Sequence, residues 1–207
     1  MIAPQKNKKR FADLGWGDRT QGRYGMIENI DENFGLLMRK LDEWKLWDNT
    51  LVIFMTDNGQ AGSNGRKNGK NVRMHSAGFK TGKGSQYEGG THVPAFWRWK
   101  GKLGEGVDIP ALTAHIDLFK TFCQLAGAEI PDGIQEIDGR SLLPLLEKPK
   151  AEWPDRTLFT HKGRWPTGVE PDTHQWRDFA VRDGRFRLVD NVALYACLLY
   201  TSPSPRA

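Results

Sequence analysis

Thr50-Leu51-Val52-Ile53-Phe54-Met55-Thr56-Asp57-Asn58-Gly59 is the stretch on which the fold turns. Seven uncharged residues rich in β-branched and aromatic side chains predict a strand buried on both faces, as in a parallel sheet. Charge enters only at Asp57, and Asn58-Gly59 stops the run. Upstream, Tyr24, Ile27, Ile30, Phe34, Leu37, Leu41 and Trp44 recur at three- and four-residue steps, with Glu28, Asp31, Glu32 and Lys40 between them. That spacing predicts a long amphipathic helix over 20–47, ended by Asp48-Asn49. Helix followed by buried strand makes the fold class α/β.

Downstream of Gly59 a Gly-, Asn-, Lys- and Arg-rich loop is expected to run to about Gly90. Val93-Pro94-Ala95-Phe96-Trp97-Arg98-Trp99 resumes an extended segment, with Pro94 at a strand start or edge. Ile116–Ala126 predicts a second helix closed by Gly127, its Asp117 near the positive end of the dipole. Ser141–Leu146 predicts a short helical turn. Beyond Glu147 the prolines Pro149 and Pro154 suggest a linker, and Asp183-Gly184 between two apolar runs signals a hairpin. With the Asp190-Asn191 turn and Val192–Tyr195, a three-stranded meander is expected.

Composition bounds the rest. At about 150 residues per domain, 207 residues make one domain plus part of another. No run of 18 apolar residues occurs, which excludes a helical membrane span, and two cysteines are too few for a disulfide scaffold or a thiolate zinc site. Lys6, Lys8, Lys9 and Arg10 form a basic cluster, expected to be a solvated surface stretch and not a nucleic-acid site. The eight tryptophans suit either an aromatic core or, for Trp97, Trp99, Trp153, Trp165 and Trp176, stacking on sugar rings.

Three groups of residues could carry chemistry. Asp57 and Asn58 stand at the carboxyl end of the strand, where open α/β sheets place ligands, and offer two hard oxygens to a cation. Taken alone, the pair reads as an ordinary Asn-Gly turn before it reads as a ligand pair. From Arg66 to Lys83 lie Arg66, Lys67, Lys70, Arg73, Lys80 and Lys83, with His75 and no carboxylate. This positive field suits an anionic substrate such as a sulfate or phosphate ester. Finally, Gly82-Lys83-Gly84 lets backbone approach a ligand while the ammonium meets an oxyanion, although the spacing is not that of a phosphate-binding loop.

Phe54-Met55-Thr56-Asp57-Asn58-Gly59 and Gly82-Lys83-Gly84-Ser85-Gln86-Tyr87-Glu88-Gly89-Gly90 together resemble the sulfatase family of the alkaline-phosphatase-like superfamily. The segments Tyr24–Asn33, Ile116–Leu118 and Asp138–Leu142 are similar to the same family in the same order, and the resemblance covers about Phe11 to Tyr195. It implies a partial alkaline-phosphatase-like three-layer sandwich over 1–147, the C-terminal half of a catalytic domain. Residues 148–196 would begin a small antiparallel β subdomain.

The implied activity is sulfuric ester hydrolysis, arylsulfatase-like, on a small-molecule or carbohydrate sulfate ester. Asp57 and Asn58 would ligate Ca²⁺, ahead of Mg²⁺, and Lys83 would act as the catalytic sulfate contact. Glu88, Gly89 and Gly90 would shape the loop presenting Lys83. Read from its own neighbours and not from the resemblance, His161, with Arg164 and Trp165, either lines a substrate subsite or has a plain loop role. His75 is a further candidate contact. At His92 the family more often carries arginine, and at Lys120 proline, so no role transfers to either. The family's formylglycine arises from a Cys/Ser-x-Pro-x-Arg motif that does not occur in this sequence; Cys123, mid-helix among apolar residues, is expected to be a core thiol. The nucleophile is therefore expected in a preceding segment, and the fragment itself is expected to be inactive.

Rival classes are a phosphate or phosphonate ester hydrolase of the same superfamily and a non-enzymatic basic binding module. The resemblance implies a periplasmic or secreted location, although the first residues hold no signal peptide. Residues 197–207 resemble a translated sequencing adaptor and are expected to be artefactual.

Overall fold

The helix over Asp18–Glu43 begins two residues before its predicted start and ends four before its predicted end. Its stop is a left-handed Lys45 (φ 57°), with Leu46 N–H donating to Leu41 O at 2.9 Å and Lys45 N–H to Asp42 O at 3.0 Å. This doubled capping is a Schellman motif, and it, not Asp48-Asn49, ends the helix and sends Trp47 into the interior. The computed structural model describes residues 2–62, 64–74, 76–131, 133–134 and 136–196. These form two compact units, one of residues up to Lys100 with Lys162–Arg164, the other of Gly101–His161 with residues from Trp165 on.

In the first unit, helices α1 (Gln5–Asp13) and α2 (Asp18–Glu43) precede strand β1 (Val52–Met55). The basic N-terminal stretch is thus a helix laid against α2, with Lys6, Lys9 and Arg10 exposed to solvent as expected. Gly25 permits the approach: a Cβ there would stand 3.0 Å from Asn7 O and 3.2 Å from Ala3 Cβ. Lys6 pairs with Glu32 at 2.7 Å, Lys8 with Asp18 at 2.8 Å and Arg10 with Glu28 at 3.0 Å. Three of the four cations thereby acquire carboxylate partners. The buried residues of α2 are Thr20, Gly22, Gly25 and Leu41, while Ile27, Ile30 and Leu37 stay exposed.

Next come strands β2 (Asn64–Lys67) and β3 (Lys70–Arg73), helix α3 (Glu88–Thr91) and strand β4 (Ala95–Arg98). Strand β1 pairs with β4, antiparallel, in the register Val52↔Arg98 to Met55↔Ala95. All four β1 residues are half-buried. The expected parallel, fully buried strand is therefore not what forms among the described residues, because an apolar run specifies covered faces but not the direction of its neighbour. Aromatic contacts fill this core: Phe34 meets Phe54 edge-on at 5.3 Å, and Phe54 meets Phe96 at 6.4 Å. The expected loop to Gly90 contains a hairpin, β2–β3, turned by Asn68 and Gly69 at φ 49° and 77°. Both central residues at positive φ define the turn that matches strand twist.

The second unit holds α4 (Asp117–Ala126), α5 (Leu143–Glu147) and strands β5 (Leu158–His161), β6 (Phe179–Arg182), β7 (Phe186–Val189) and β8 (Ala193–Ala196). Gly127 closes α4 at φ 64°. Asp117 does more than face the helix dipole: fully buried, it accepts from Ala114 N–H at 2.7 Å, Arg140 N–H at 2.8 Å and Arg156 Nη1 at 2.7 and 2.8 Å. Thr121, equally buried, donates to Asp117 O at 2.6 Å and accepts from Leu142 N–H at 2.8 Å. Cys123 is half-buried on the same helix and not a core thiol.

The strands form an antiparallel sheet in the order β5-β6-β7-β8, one strand more than the expected meander. The added strand is the segment ending in His161, which pairs with Phe179. At the Asp183 turn, Gly184 stays out of the left-handed region. Instead, Asp183 Oδ1 accepts from Arg185 N–H at 2.7 Å and Phe186 N–H at 2.5 Å, so the aspartate side chain makes the turn. Among the described residues no helix is long and apolar enough to cross a membrane.

Candidate active site

Two segments far apart in sequence are laced together by backbone in the first unit. Gly59 N–H donates to Gly90 O at 2.9 Å, and Lys83 N–H donates to Gln60 O at 2.9 Å. The chain that leaves β1 through Asp57-Asn58 is thereby fastened to the loop bearing Lys83 and to helix α3. Missing side chains make the contact feasible. A Cβ on Gly59 would fall 1.8 Å from Gly89 O, and one on Gly82 would fall 2.4 Å from Gln60 O. Gly89 is equally confined, its Cβ position 2.4 Å from Thr81 O and 2.5 Å from Lys80 O, while Gly90 would meet Ser85 O at 2.0 Å. Such separations lie inside any van der Waals contact, so glycine is required at each place.

Within this frame Asp57 and Lys83 are exposed and Asn58 is half-buried. Neither the Asp57 carboxylate nor the Lys83 ammonium has a hydrogen-bond or ion-pair partner among the described residues. Asn58 uses its backbone oxygen, accepting from Thr56 Oγ1 at 3.2 Å. The functional groups stay bare because main chain, not side chain, holds the segment in place.

The donor set suits a hard cation in kind, since carboxylate and amide oxygens are what Ca²⁺ and Mg²⁺ take. It does not suit one in number. Such ions take six or more oxygens, and no group of three His, Cys, Asp or Glu able to hold a metal exists among the described residues. Asp57 and Asn58 alone would make at most part of a cation site.

The lysine loop carries supports of which sequence reading anticipated Glu88, Gly89 and Gly90 but not their partners. Glu88, 7% exposed, meets His92 Nδ1 at 3.0 Å, and the Phe79 ring stacks on His92 at 4.7 Å. Lys80 lies over the Tyr87 ring at 4.2 Å. Thr81 adopts φ 64°, uncommon for a β-branched residue, with its hydroxyl bonded to Lys80 O at 2.6 Å and to Ser85 Oγ. A Glu88-to-His92 spacing of four on a helix was the available signal; the aromatic stack was not legible without coordinates.

Of the other expected contacts, His161 lies in the second unit, where its Nε2 donates to His174 O at 3.1 Å. His75 and the 197–207 tail fall outside the described residues. Lys120 donates to Ile137 O at 2.8 Å. Trp153 donates to Leu112 O at 3.0 Å, which gives it a structural task, whereas Trp176 is 68% exposed.

A family model described as Sulfatase matches residues 3–128. The chain belongs to the sulfatase family. The match begins ahead of Phe11, taking in the α1 helix as well. A second model, N-sulphoglucosamine sulphohydrolase, C-terminal, matches residues 81–197. This sulfatase chain is 39% identical over 138 residues to steryl-sulfatase of Mus musculus, covering 66% of the chain and 22% of that protein. It is 32% identical over 184 residues to arylsulfatase A of Homo sapiens, covering 86% of the chain and 32% of that protein. Among solved structures it resembles Ps i-CgsB in complex with k-i-k-neocarrahexaose, with TM-score 0.73, 25% identity, all of this chain covered and 42% of the other. The chain thus spans between about a fifth and a third of the length of these two curated relatives. Sulfatase structures among its neighbours carry the alkaline-phosphatase-like fold, to which this mixed α/β chain conforms.

Proposed function

We propose that the protein of which this chain forms part hydrolyses sulfuric esters, and that residues 57–60 and 82–90 are one wall of its active site. The observation that carries this is the double backbone tie, Gly59 to Gly90 and Lys83 to Gln60, between the two segments that resemble the family's motifs. Residues 1–147 would be the later part of the catalytic domain and 148–196 the start of a subdomain that follows it. Relatives named for steryl and N-acetylgalactosamine-6-sulfate hydrolysis support a sulfate ester substrate, and the neighbour bound to a neocarrahexaose favours a carbohydrate one. An exported location is likewise proposed from family membership.

The chemistry asked of these residues is electrostatic. Cleaving a sulfate ester builds negative charge on the sulfuryl and leaving oxygens, and fixed positive groups stabilise it. Lys83 would supply an ammonium held by its own backbone. Asp57 and Asn58 would supply two oxygens of a Ca²⁺ site completed by residues beyond this chain, with Mg²⁺ the second choice. The bound cation would act as a Lewis acid toward the ester oxygens. His161 remains a candidate substrate contact. The nucleophile is not supplied by any Cys/Ser-x-Pro-x-Arg motif in this sequence, so a formylglycine would come from elsewhere in the protein.

The test is made in the intact sulfatase. Lys83→Ala is expected to lower turnover of an aryl sulfate roughly 10²–10³-fold, the scale of losing one preorganised charge contact; near-normal turnover refutes the role. Asp57→Ala is expected to lower bound Ca²⁺ by elemental analysis, and unchanged metal content refutes ligation. Faster cleavage of the matching phosphate or phosphonate ester than of the sulfate would replace sulfatase by its superfamily rival.

A further inference from the structure

The basic residues between the two motifs are arranged and not merely abundant. In the β2–β3 register Asn64 faces Arg73 and Arg66 faces Asn71. Paired residues share a face of an antiparallel hairpin and the face alternates along each strand. Asn64, Arg66, Asn71 and Arg73 therefore form one face, and all four are exposed. The other face, with Gly65 and Val72, turns inward: a Cβ on Gly65 would meet Thr20 Oγ1 at 2.9 Å.

The hairpin is also anchored. Gly17 N–H donates to Arg66 O at 2.8 Å, Asn68 N–H donates to Gly15 O at 2.8 Å, and Lys67 lies over the Trp16 ring at 5.2 Å. Arg66 uses one guanidinium nitrogen on Gly69 O at 3.0 Å, which orients the group and leaves its other donors available. Arg73 has no ion pair among the described residues. No carboxylate occurs anywhere from Asn58 to Tyr87, while six cations do.

We propose that this outward face is a docking surface for a second sulfate group of a multiply sulfated oligosaccharide, apart from the site of cleavage. The choice of occupant rests on the sulfate-ester function proposed above. Two guanidinium groups on diagonal positions, about 7–8 Å apart at their backbones, present planar forks that match tetrahedral oxyanions. Asn64 and Asn71 add amide donors and acceptors suited to sugar hydroxyls. The face carries no aromatic ring on which a base could stack, which disfavours single-stranded nucleic acid as the polyanion.

The experiment uses this full chain and titration calorimetry. The probes are a multiply sulfated oligosaccharide, a monosulfated one of equal length, and a single-stranded oligonucleotide of equal charge. Arg66→Gln/Arg73→Gln should weaken the multiply sulfated probe about tenfold, flatten its salt dependence, and leave the monosulfated probe unchanged. Arg66→Lys/Arg73→Lys should restore part of the loss. Lys83→Ala should weaken both sulfated probes. If Lys83→Ala changes neither while the double arginine variant keeps its selective effect, the active-site assignment fails and the docking surface stands. Unchanged affinity of the double variant for the multiply sulfated probe overturns the proposal, as does oligonucleotide binding of equal strength lost by the same factor.

Discussion

Asp57 and Asp117 are aspartates at the ends of secondary-structure elements, one after β1 and one opening α4, and their surroundings are opposite. Asp57 is exposed and held by the main chain on either side of it. Asp117 is fully buried, and both oxygens are occupied by Arg156 and by the backbone of Ala114 and Arg140. A carboxylate whose acceptor capacity is consumed inside the protein holds the fold together; one left bare by a backbone-supported turn is available to a ligand. The glycines follow the same division of labour. Gly59 lets the lysine loop close on the β1 terminus, and Gly139, whose Cβ would fall 1.9 Å from Ile116 O, lets Arg140 reach Asp117.

The largest effect that could break this contrast is at Asp117. Asp117→Ala strands the Arg156 guanidinium and two backbone donors in the interior, and should cost roughly 3–5 kcal/mol in urea unfolding. A loss comparable to that of a surface substitution would end the structural assignment. In the double variant with Arg156→Met the cost should be smaller than the sum of the two single changes, because the second removes the stranded charge.

Next in size are the glycines. Gly59→Ala and Gly139→Ala should each destabilise by about 1–3 kcal/mol through overpacking. Only Gly59→Ala should also lower cation binding in the intact sulfatase, since it shifts the Asp57 turn; equal effects on cation binding would erase the distinction. Smaller still, Asp57→Ala and Lys83→Ala should alter stability by no more than about 0.5 kcal/mol while losing the ligand functions given above. A large loss of stability would mean that these side chains are structural.

The smallest effect is a pH dependence. Backbone N–H groups of Phe186 and then Arg185 hold the Asp183 carboxyl below its ordinary range, as Lys6 does for Glu32 and Lys8 for Asp18. A carboxylate with a lowered folded-state pKa stabilises the fold above its ordinary titration and loses that contribution as pH falls through the folded value. Stability should therefore decline on acidification below about pH 4, and Asp183→Ala should shallow that decline. An unchanged profile would refute the turn's role.

Legibility differed between the two regions for a physical reason. The order helix, strand, motif, loop, strand is written in apolar spacing, and the two segments of the candidate site were each recognisable from their own residues. Their juxtaposition was not, because it depends on long-range main-chain bonds between glycines that carry no side-chain signal. The β2–β3 hairpin had a local signal, Asn68-Gly69, but lay in a stretch too polar to read as strands. At Asp183-Gly184 the dipeptide was visible and its mechanism was not, since the carboxylate and not a left-handed glycine turns the chain. The burial of Asp117 was hidden because its partner Arg156 lies 39 residues away.

What the sequence by itself determined is the α/β class, the helices α2 and α4, and the identity of Asp57, Asn58 and Lys83 as candidates, all of which follow from local spacing and residue chemistry. Only the tertiary structure decided that β1 pairs antiparallel with β4, that Asp57 is bare while Asp117 is spent, and that Lys83 is tied to the strand terminus. Those outcomes hinge on which distant backbone atoms find each other, and a pattern of neighbours along the chain does not specify that.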